Sequence, residues 1–272
     1  MENIKKRDPY WDILKGIAII LVVLGHSIQF GASTEYVQNK LFFEDMTYKM
    51  IYGFHMPLFM FISGYFYYNS SANGNTSELC AKIVRSLLIP IIVFSFIAKC
   101  LDCHQLSLSN VCCILVHAFT SSIMNLWFLW AVILGQIVVL LNQKYLKDKW
   151  WVYVLVIFVL YILPDPFRFA QIKFVLPFFI IGYYCRKNDY INSLFGRSNF
   201  VQICLLTCLY VFSIVLLYNH DTFVYTTKIS LLAASDRWYQ LYCDLLRFLI
   251  GLLGSISVVM LVNYFQIYIM GG

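Results

Sequence analysis

Long runs of apolar residues, separated by short polar or basic segments, dominate this chain. Most runs reach or approach the roughly 20 residues that an α-helix needs to cross a bilayer. The pattern therefore predicts an all-α, polytopic membrane bundle of about nine transmembrane or re-entrant helices, forming one domain over residues 1–272. The predicted spans lie at residues 11–31, 48–68, 80–101, 105–122, 125–142, 150–163, 170–185, 199–218 and 243–265.

The weakest of these predictions is the segment 105–122, because its apolar stretch is short and contains His117. It is compatible with a short span, a re-entrant piece or a helix at the membrane surface. If it crosses fully, the basic loops at 144–149 and 186–197 fall outside the cell, against the positive-inside rule. If it does not cross, both loops fall inside, so the charge pattern favours a segment that does not cross.

Composition excludes a soluble domain. The chain is 61% hydrophobic and 12% charged, with a mean hydropathy of +0.72, whereas soluble domains carry about a quarter charged residues. The net charge of +6 indicates basic loops in the cytoplasm rather than a nucleic-acid surface. Lys5, Lys6 and Arg7 precede an uncleaved first span, so the N-terminus is predicted to be cytoplasmic. The cysteines lack paired zinc-type spacing, so no metal site is predicted.

The first apolar run carries ionisable residues at both ends. Asp12 and Lys15 precede its uninterrupted apolar stretch, and His26 follows it. Lys15 and His26 are eleven positions apart, so a helix projects them from nearly one face, roughly 16 Å apart along its axis. Ionisable groups in a membrane helix are costly and indicate function. A lysine at the end of a membrane helix also extends to the lipid headgroups without a functional role, and a lone histidine also forms a structural hydrogen bond to a neighbouring helix. The functional and the structural interpretation therefore both stay open for either residue alone.

The next two runs add a second histidine and a pair of cations. His55 and His26 lie at similar distances from the outer ends of their spans, which predicts two imidazoles facing one cavity. Pro57 should kink the second span because it removes a backbone donor. Lys82 and Arg85 stand at the foot of the third span and share a helix face. They either set the orientation of that span or form an anion clamp for a phosphorylated donor.

Two of these segments resemble acyltransferase family 3, the bacterial integral-membrane O-acetyltransferases of surface polysaccharides. Residues 12–19 with 22–26 are similar to the first helix of the family, and residues 54–64 are similar to its second motif. The closest likeness is to the fucose 4-O-acetylase-like branch. Further matches in the same order lie at residues 126–129, 177–183 and 253–255.

The resemblance assigns roles to the ionisable residues. The family has an arginine, ten intervening residues and a histidine. In this chain His26 occupies the histidine position and Lys15 the arginine position. Lysine keeps the positive charge but cannot donate the two parallel hydrogen bonds of a guanidinium. Lys82 and Arg85 match two family arginines at the foot of the third helix. Family members usually have about ten helices, so the resemblance implies that a last helix is missing from this chain.

The implied reaction moves an acetyl or other short acyl group from cytoplasmic acetyl-CoA to a sugar hydroxyl. His26 would be the general base, with a covalent acyl-histidine as the less favoured variant. Lys15, oriented by Asp12, would contact the donor or position the helix. Lys82 and Arg85 would hold the phosphates of the acyl-CoA. These assignments require no metal and no bound cofactor.

His55 would face the acceptor, a hydroxyl of a surface or lipid-linked polysaccharide such as a capsule. The resemblance also implies a multi-pass protein of the bacterial cytoplasmic membrane that works in the lipid bilayer beside polysaccharide biosynthesis or export machinery, and it implies no nucleic-acid partner. Two other interpretations stay open. One is a non-catalytic carrier of a glycan or small anion, and the other is an inactive relative that acts as a scaffold in a glycan-export complex.

Overall fold

The computed structural model describes residues 9–31, 41–72, 74–102, 111–191, 199–225 and 227–269. These residues form α-helices and short turns without a strand, which confirms the predicted all-α class. Lys5, Lys6 and Arg7 lie outside the described residues. The helices are α1 (Pro9–Phe30), α2 (Met46–Tyr52), α3 (His55–Ser71), α4 (Thr76–Ile83), α5 (Ile89–Asp102), α6 (Val111–Asn125), α7 (Trp127–Leu146), α8 (Trp150–Ile162), α9 (Phe169–Lys187), α10 (Phe200–Leu217) and α11 (Arg237–Ile269).

Within the described residues, five helical segments are long and apolar enough to cross a membrane. This confirms a polytopic membrane protein. The segment that begins with α4 continues through a π-helical turn, Val84–Leu88, directly into α5. The five segments are Pro9–Phe30, Thr76–Leu101, Trp127–Leu146, Phe200–Leu217 and Arg237–Gln266, and the shorter apolar helix Trp150–Ile162 accompanies them.

The most apolar helices lie at the outside of the bundle. Phe158 of α8 and Leu205 of α10 are 60% and 65% exposed, as expected for side chains that face lipid. By contrast, α9 is buried on nearly every face, although it carries Gln171 and Lys173. Since lipid is as apolar as leucine, polar side chains rather than apolar ones are driven into the centre of a membrane bundle.

The centre of the bundle is the contact between α3 and α9. Gly64 of α3 lies against the backbone of Phe179, and Gly182 of α9 lies against the backbone of Phe61. A Cβ at either glycine would lie far inside the van der Waals contact distance to the opposing carbonyl oxygen. Glycine at both positions therefore allows the two backbones to approach closely, which is the usual way that membrane helices associate.

The second predicted span is broken rather than kinked. α2 ends at Tyr52, Gly53 and Phe54 form a turn, and α3 begins at His55. Pro57 consequently lies in the first turn of α3, where an amide hydrogen would have no helical acceptor. The prediction of a proline kink inside a continuous helix was therefore wrong. The break places His55 at a helix N-terminus.

The two ends of the bundle are distinguished by the residues that meet there. His26 of α1, Trp127 of α7 and Arg168 before α9 line one cavity, at what we call the histidine end. Ser71 of α3 and Lys187 of α9 line a pocket at the opposite end, which we call the lysine end. The central helices α3 and α9 both run from the histidine end to the lysine end.

Helix α6 does not return the chain to the lysine end. Thr76 at the start of α4 lies at the lysine end, whereas Asn125, the last residue of α6, lines the cavity at the histidine end. The segment from α4 to α6 therefore carries the chain across the bundle once, and α5 packs against α6. Lys144 and Lys187 consequently lie at the same end as Lys82, the clustering of basic residues on one side that the loop charges favoured. Residues 103–110 and 192–198 lie outside the described part of the chain.

Candidate active site

A cavity of about 430 Å³ lies at the histidine end, and we call it the histidine cavity. It contains both imidazoles that the sequence placed at similar depth, His26 of α1 and His55 of α3. Flat aromatic walls with a few polar groups are typical of sites that bind small ligands in a fixed orientation. The rest of the wall comprises Gln29, Phe30, Phe42, Phe43, Tyr48, Tyr52, Met56, Met124, Asn125, Trp127, Arg168, Phe223 and Tyr225.

The tautomer of His55 is set by the backbone. Its Nδ1 lies 2.9 Å from the carbonyl oxygen of Ile51, in the last turn of α2. A carbonyl oxygen only accepts hydrogen bonds, so Nδ1 carries the hydrogen and Nε2 of the neutral ring is an acceptor. The ring is 2% exposed, and Tyr52 meets it edge-on at a centroid distance of 4.6 Å. His55 is therefore a rigidly held acceptor on the cavity wall.

His26 is held less tightly. It is exposed to the cavity, and its ring stacks on Phe30 at a centroid distance of 5.9 Å. The neighbouring Gly25 allows α2 to approach, because a Cβ there would lie 2.7 Å from the ring of Tyr52. Tyr52 then donates a hydrogen bond of 3.0 Å to Gln29. The glycine before His26 thus brings the wall of the cavity against α1.

Arg168 is a cavity residue that the sequence reasoning missed. It occupies the N-cap position of α9 and lines the same cavity as His26 and His55. Its Nε is buried and has no hydrogen-bond partner among the described residues. The signal in the sequence was weak: a lone arginine after Pro164 and Pro166, in a turn that precedes an apolar helix.

Tyr225 stands near Arg168 on this wall, in the connection between α10 and α11. Burial raises the pKa of its phenol well above the ordinary value, although the charge of Arg168 acts in the opposite direction. The phenol is therefore protonated at neutral pH and adds a neutral donor to the cavity.

The cations predicted at the foot of the third span lie at the other end of the molecule. Lys82 lines a pocket of about 240 Å³, the lysine pocket, and donates a hydrogen bond of 2.8 Å to Ser70. Arg85 is exposed and does not line it, whereas Ser86 does. A π-helical turn, Val84–Leu88, runs through this stretch, and the residue four positions after Lys82, rather than three, lines the pocket. The structure thus brings one of the two predicted cations, Lys82, to the wall of the lysine pocket.

Lys15 belongs to the lysine end as well. Its Nζ lies 3.8 Å from the ring centroid of Phe66, and Phe66 lines the lysine pocket. Asp12 is exposed in the first turn of α1. Its pairing with Lys15 stays a prediction, as do the catalytic and binding roles of all six residues that the sequence nominated.

A third concavity of about 430 Å³ adjoins the lysine pocket, and Leu79 lines both. Asp148 organises it by accepting hydrogen bonds of 2.6, 2.7 and 2.6 Å from Tyr153, Tyr183 and Lys187. Lys144 also lines this concavity. The lysine end therefore offers two adjoining concavities with basic walls. Within the described residues, no cluster of three histidine, cysteine or acidic side chains has the geometry to hold a metal ion.

A family profile described as an acyltransferase domain matches residues 8–270 of the chain. The chain is also similar to the nodulation protein NolL of Mesorhizobium japonicum, with 24% identity over 226 residues, 82% of this chain and 60% of that protein. It is similar to NolL of Sinorhizobium fredii as well, with 30% identity over 182 residues, 65% of this chain and 48% of that protein. The chain thus spans about half of the length of these relatives. No solved structure matches it. From the match over nearly its whole length, the chain belongs to acyltransferase family 3.

Proposed function

We propose that this protein is a membrane O-acyltransferase that moves an acetyl or other short acyl group from acyl-CoA to a hydroxyl of a polysaccharide sugar. The observation that carries the proposal is that two imidazoles share one aromatic cavity, while cationic pockets lie at the opposite end of the same helix, α3. Family membership supports the reaction class. An anionic, water-soluble donor and a sugar acceptor require two such chemically different sites.

The lysine end suits the acyl-CoA. Lys82 in the lysine pocket and Lys144 and Lys187 beside it provide cations for the phosphates of the donor. The lysine pocket is bounded by Phe66, and the aromatic ring holds Lys15 by a cation–π contact. Basic residues at the lysine end also support a position on the cytoplasmic side of a bacterial inner membrane, together with a cytoplasmic N-terminus.

The thioester has to travel along α3. Ser63 lines the lysine pocket and Met56 lines the histidine cavity, and seven residues of helix span roughly 10 Å. The rings of Phe59 and Phe128 meet between them at a centroid distance of 5.2 Å. A thin pantetheine arm that displaced these two rings would bring its acyl group from one site to the other.

In the histidine cavity, His26 acts as the general base. It takes the proton of the sugar hydroxyl as the oxygen attacks the thioester carbonyl, and it returns that proton to the departing thiolate. His26 suits this role better than His55 because it is exposed in the cavity, where water solvates a transient imidazolium. His55 is almost fully buried, so a positive charge there costs more. Its Nε2 instead accepts a hydrogen bond from the acceptor and orients it.

The proposal is tested by mass spectrometry of the surface glycans from native cells. A deletion strain is compared with strains that restore the wild-type protein, His26→Ala or His117→Ala. His117 is the matched control, because it is an exposed histidine of α6 that does not line the histidine cavity. We expect each glycan repeat of the deletion strain to lose the mass of one acetyl group, and we expect wild type and His117→Ala to restore it.

His26→Ala should leave the glycan unacetylated although the variant is inserted in the membrane at the wild-type level. Full acetylation in that strain would show that His26 is not the base. An unchanged glycan mass in the deletion strain would refute the polysaccharide acceptor altogether. Purified protein that carries a glycan or anion across vesicle membranes without acyl transfer would point to a carrier instead.

A further inference from the structure

Among the described residues of the histidine cavity, one side chain is positively charged and none is a carboxylate. The guanidinium of Arg168 makes no hydrogen bond or ion pair in the part of the chain that the structure describes, and its Nε is buried. Arg168 is partly buried, and removing its Nε from water without a hydrogen-bond partner is unfavourable unless an anionic oxygen accepts from it during part of the working cycle.

The turn that carries Arg168 is held in place from several directions. Asp165 forms a buried ion pair of 2.6 Å with Lys173 of α9 and accepts hydrogen bonds of 2.7 and 2.8 Å from the amides of Ile229 and Ser230. Phe167, directly before Arg168, adopts a φ of 52°, a left-handed conformation that is unfavourable for an aromatic residue. Such strain persists only where the surroundings over-determine the conformation, and it is concentrated at functional sites. The guanidinium is therefore pre-positioned and not a loose surface charge.

We infer that Arg168 is a catalytic residue that donates hydrogen bonds to the acyl oxygen in the transition state; this rests on the proposed acyl transfer. When the hydroxyl oxygen attacks, a C–O bond forms and the carbonyl electron pair moves onto the acyl oxygen. The hydroxyl proton goes to His26. When that pair returns, the C–S bond breaks, and the thiolate takes the proton back from the imidazolium. The negative oxygen exists only between these steps, and preorganised donors stabilise it strongly.

A permanent anion on the acceptor is the other possible partner of Arg168. The cavity favours the transient one, because the rest of its described wall is uncharged and mostly aromatic, with the amides of Gln29 and Asn125, which suits a neutral sugar. Arg168 also lines the same cavity as both imidazoles, so an acyl group bound beside the base occupies the cavity that Arg168 lines. An anchor for a distant acidic group of the acceptor would lie away from the base.

The experiment compares wild type, Arg168→Gln and Arg168→Lys as purified proteins in nanodiscs. Two rates are measured: hydrolysis of acetyl-CoA without an acceptor, and acetyl transfer to the glycolipid fraction of native membranes. Both reactions pass through a tetrahedral intermediate in which the acyl oxygen is negatively charged. We expect Arg168→Gln to lower kcat of both by about 100- to 1,000-fold, with less than about threefold change in the acceptor KM. Arg168→Lys keeps the charge but loses the planar set of donors, so its kcat values should lie between those of wild type and Arg168→Gln.

Lys49→Gln is the matched control, because Lys49 carries the same charge at the histidine end but lines a separate small pocket; its rates should equal those of wild type. A raised acceptor KM at unchanged hydrolysis would overturn the inference and make Arg168 an acceptor anchor. Unchanged rates in both variants would also overturn it. If Arg168→Gln does not fold, Arg168→Lys provides the test: lower rates of both reactions than in wild type support the inference, and unchanged rates refute it. A wild-type protein without either reaction would refute the proposed function itself, and the inference with it.

Discussion

Replacing Gly182 with alanine should separate the two central helices. A Cβ at this position would lie 2.9 Å from the carbonyl carbon of Phe61 and 3.0 Å from the amide nitrogen of Tyr65, and it would overlap the carbonyl oxygen of Phe61. All three atoms belong to the backbone of α3, so no side-chain rotation relieves the contact. The helices must move apart locally by roughly 1 Å to restore ordinary contact distances.

The expected loss of stability follows from this displacement. Overpacking of a well-packed contact costs about 1–3 kcal/mol and occasionally more, and the absence of a yielding side chain places Gly182→Ala at the upper end. A loss of about 3 kcal/mol corresponds to roughly 6–12 °C in the midpoint of thermal unfolding for a chain of this size. The same movement shifts the N-terminal ends of α3 and α9, so the arrangement of His55 and Arg168 in the histidine cavity should also be disturbed.

Thermal unfolding is measured in detergent with a thiol-reactive dye. Half-buried Cys185, one turn after Gly182 on α9, and buried Cys243 become reactive on unfolding, whereas Cys80, Cys204 and Cys208 are exposed in the folded protein and set the baseline. Gly16→Ala is the matched control, since a Cβ at Gly16 has nothing within 4 Å and alanine improves helix propensity by about 1 kcal/mol. Gly16→Ala should unfold at the wild-type temperature or slightly above it. Equal midpoints for Gly182→Ala and Gly16→Ala would refute the close approach of α3 and α9.

Two further predictions concern charged residues. Lys173→Met should lower the free energy of unfolding by about 3–5 kcal/mol, because it leaves Asp165 buried without its cationic partner. The exposed control Lys144→Met, measured in the same thermal assay, should stay within about 0.5 kcal/mol of wild type. Equal losses in the two variants would contradict the ion pair. Lys82→Ala should raise the acetyl-CoA KM about tenfold, the effect of one charge-assisted contact. Arg85→Ala should change the acetyl-CoA KM less than about threefold, because Arg85 lies outside the lysine pocket. Both KM values are measured by initial-rate kinetics. A larger effect from Arg85→Ala than from Lys82→Ala would contradict the donor site.

The helical class and the local geometry of single helices were predictable from the sequence. The apolar runs predicted the membrane helices α1, α7, α10 and α11, because only an α-helix or a closed barrel satisfies its backbone in lipid. The three turns between Lys15 and His26 follow from the helical repeat alone, and the structure places these residues at opposite ends of α1. The break near Pro57 was misplaced, because a proline signal does not distinguish a kink from a helix start.

Contacts between distant segments were decided only by the tertiary structure. Gly64 and Gly182 are ordinary glycines in the sequence, and their reciprocal contact depends on how α3 and α9 pack. Arg168 joins the two histidines only because the turn before α9 folds back over the end of α1 and α3. In a membrane, lipid-facing and protein-facing sides of a helix are equally apolar. The sequence pattern therefore determined which segments are helices, whereas the packing of small and polar residues decided which of their side chains share a cavity.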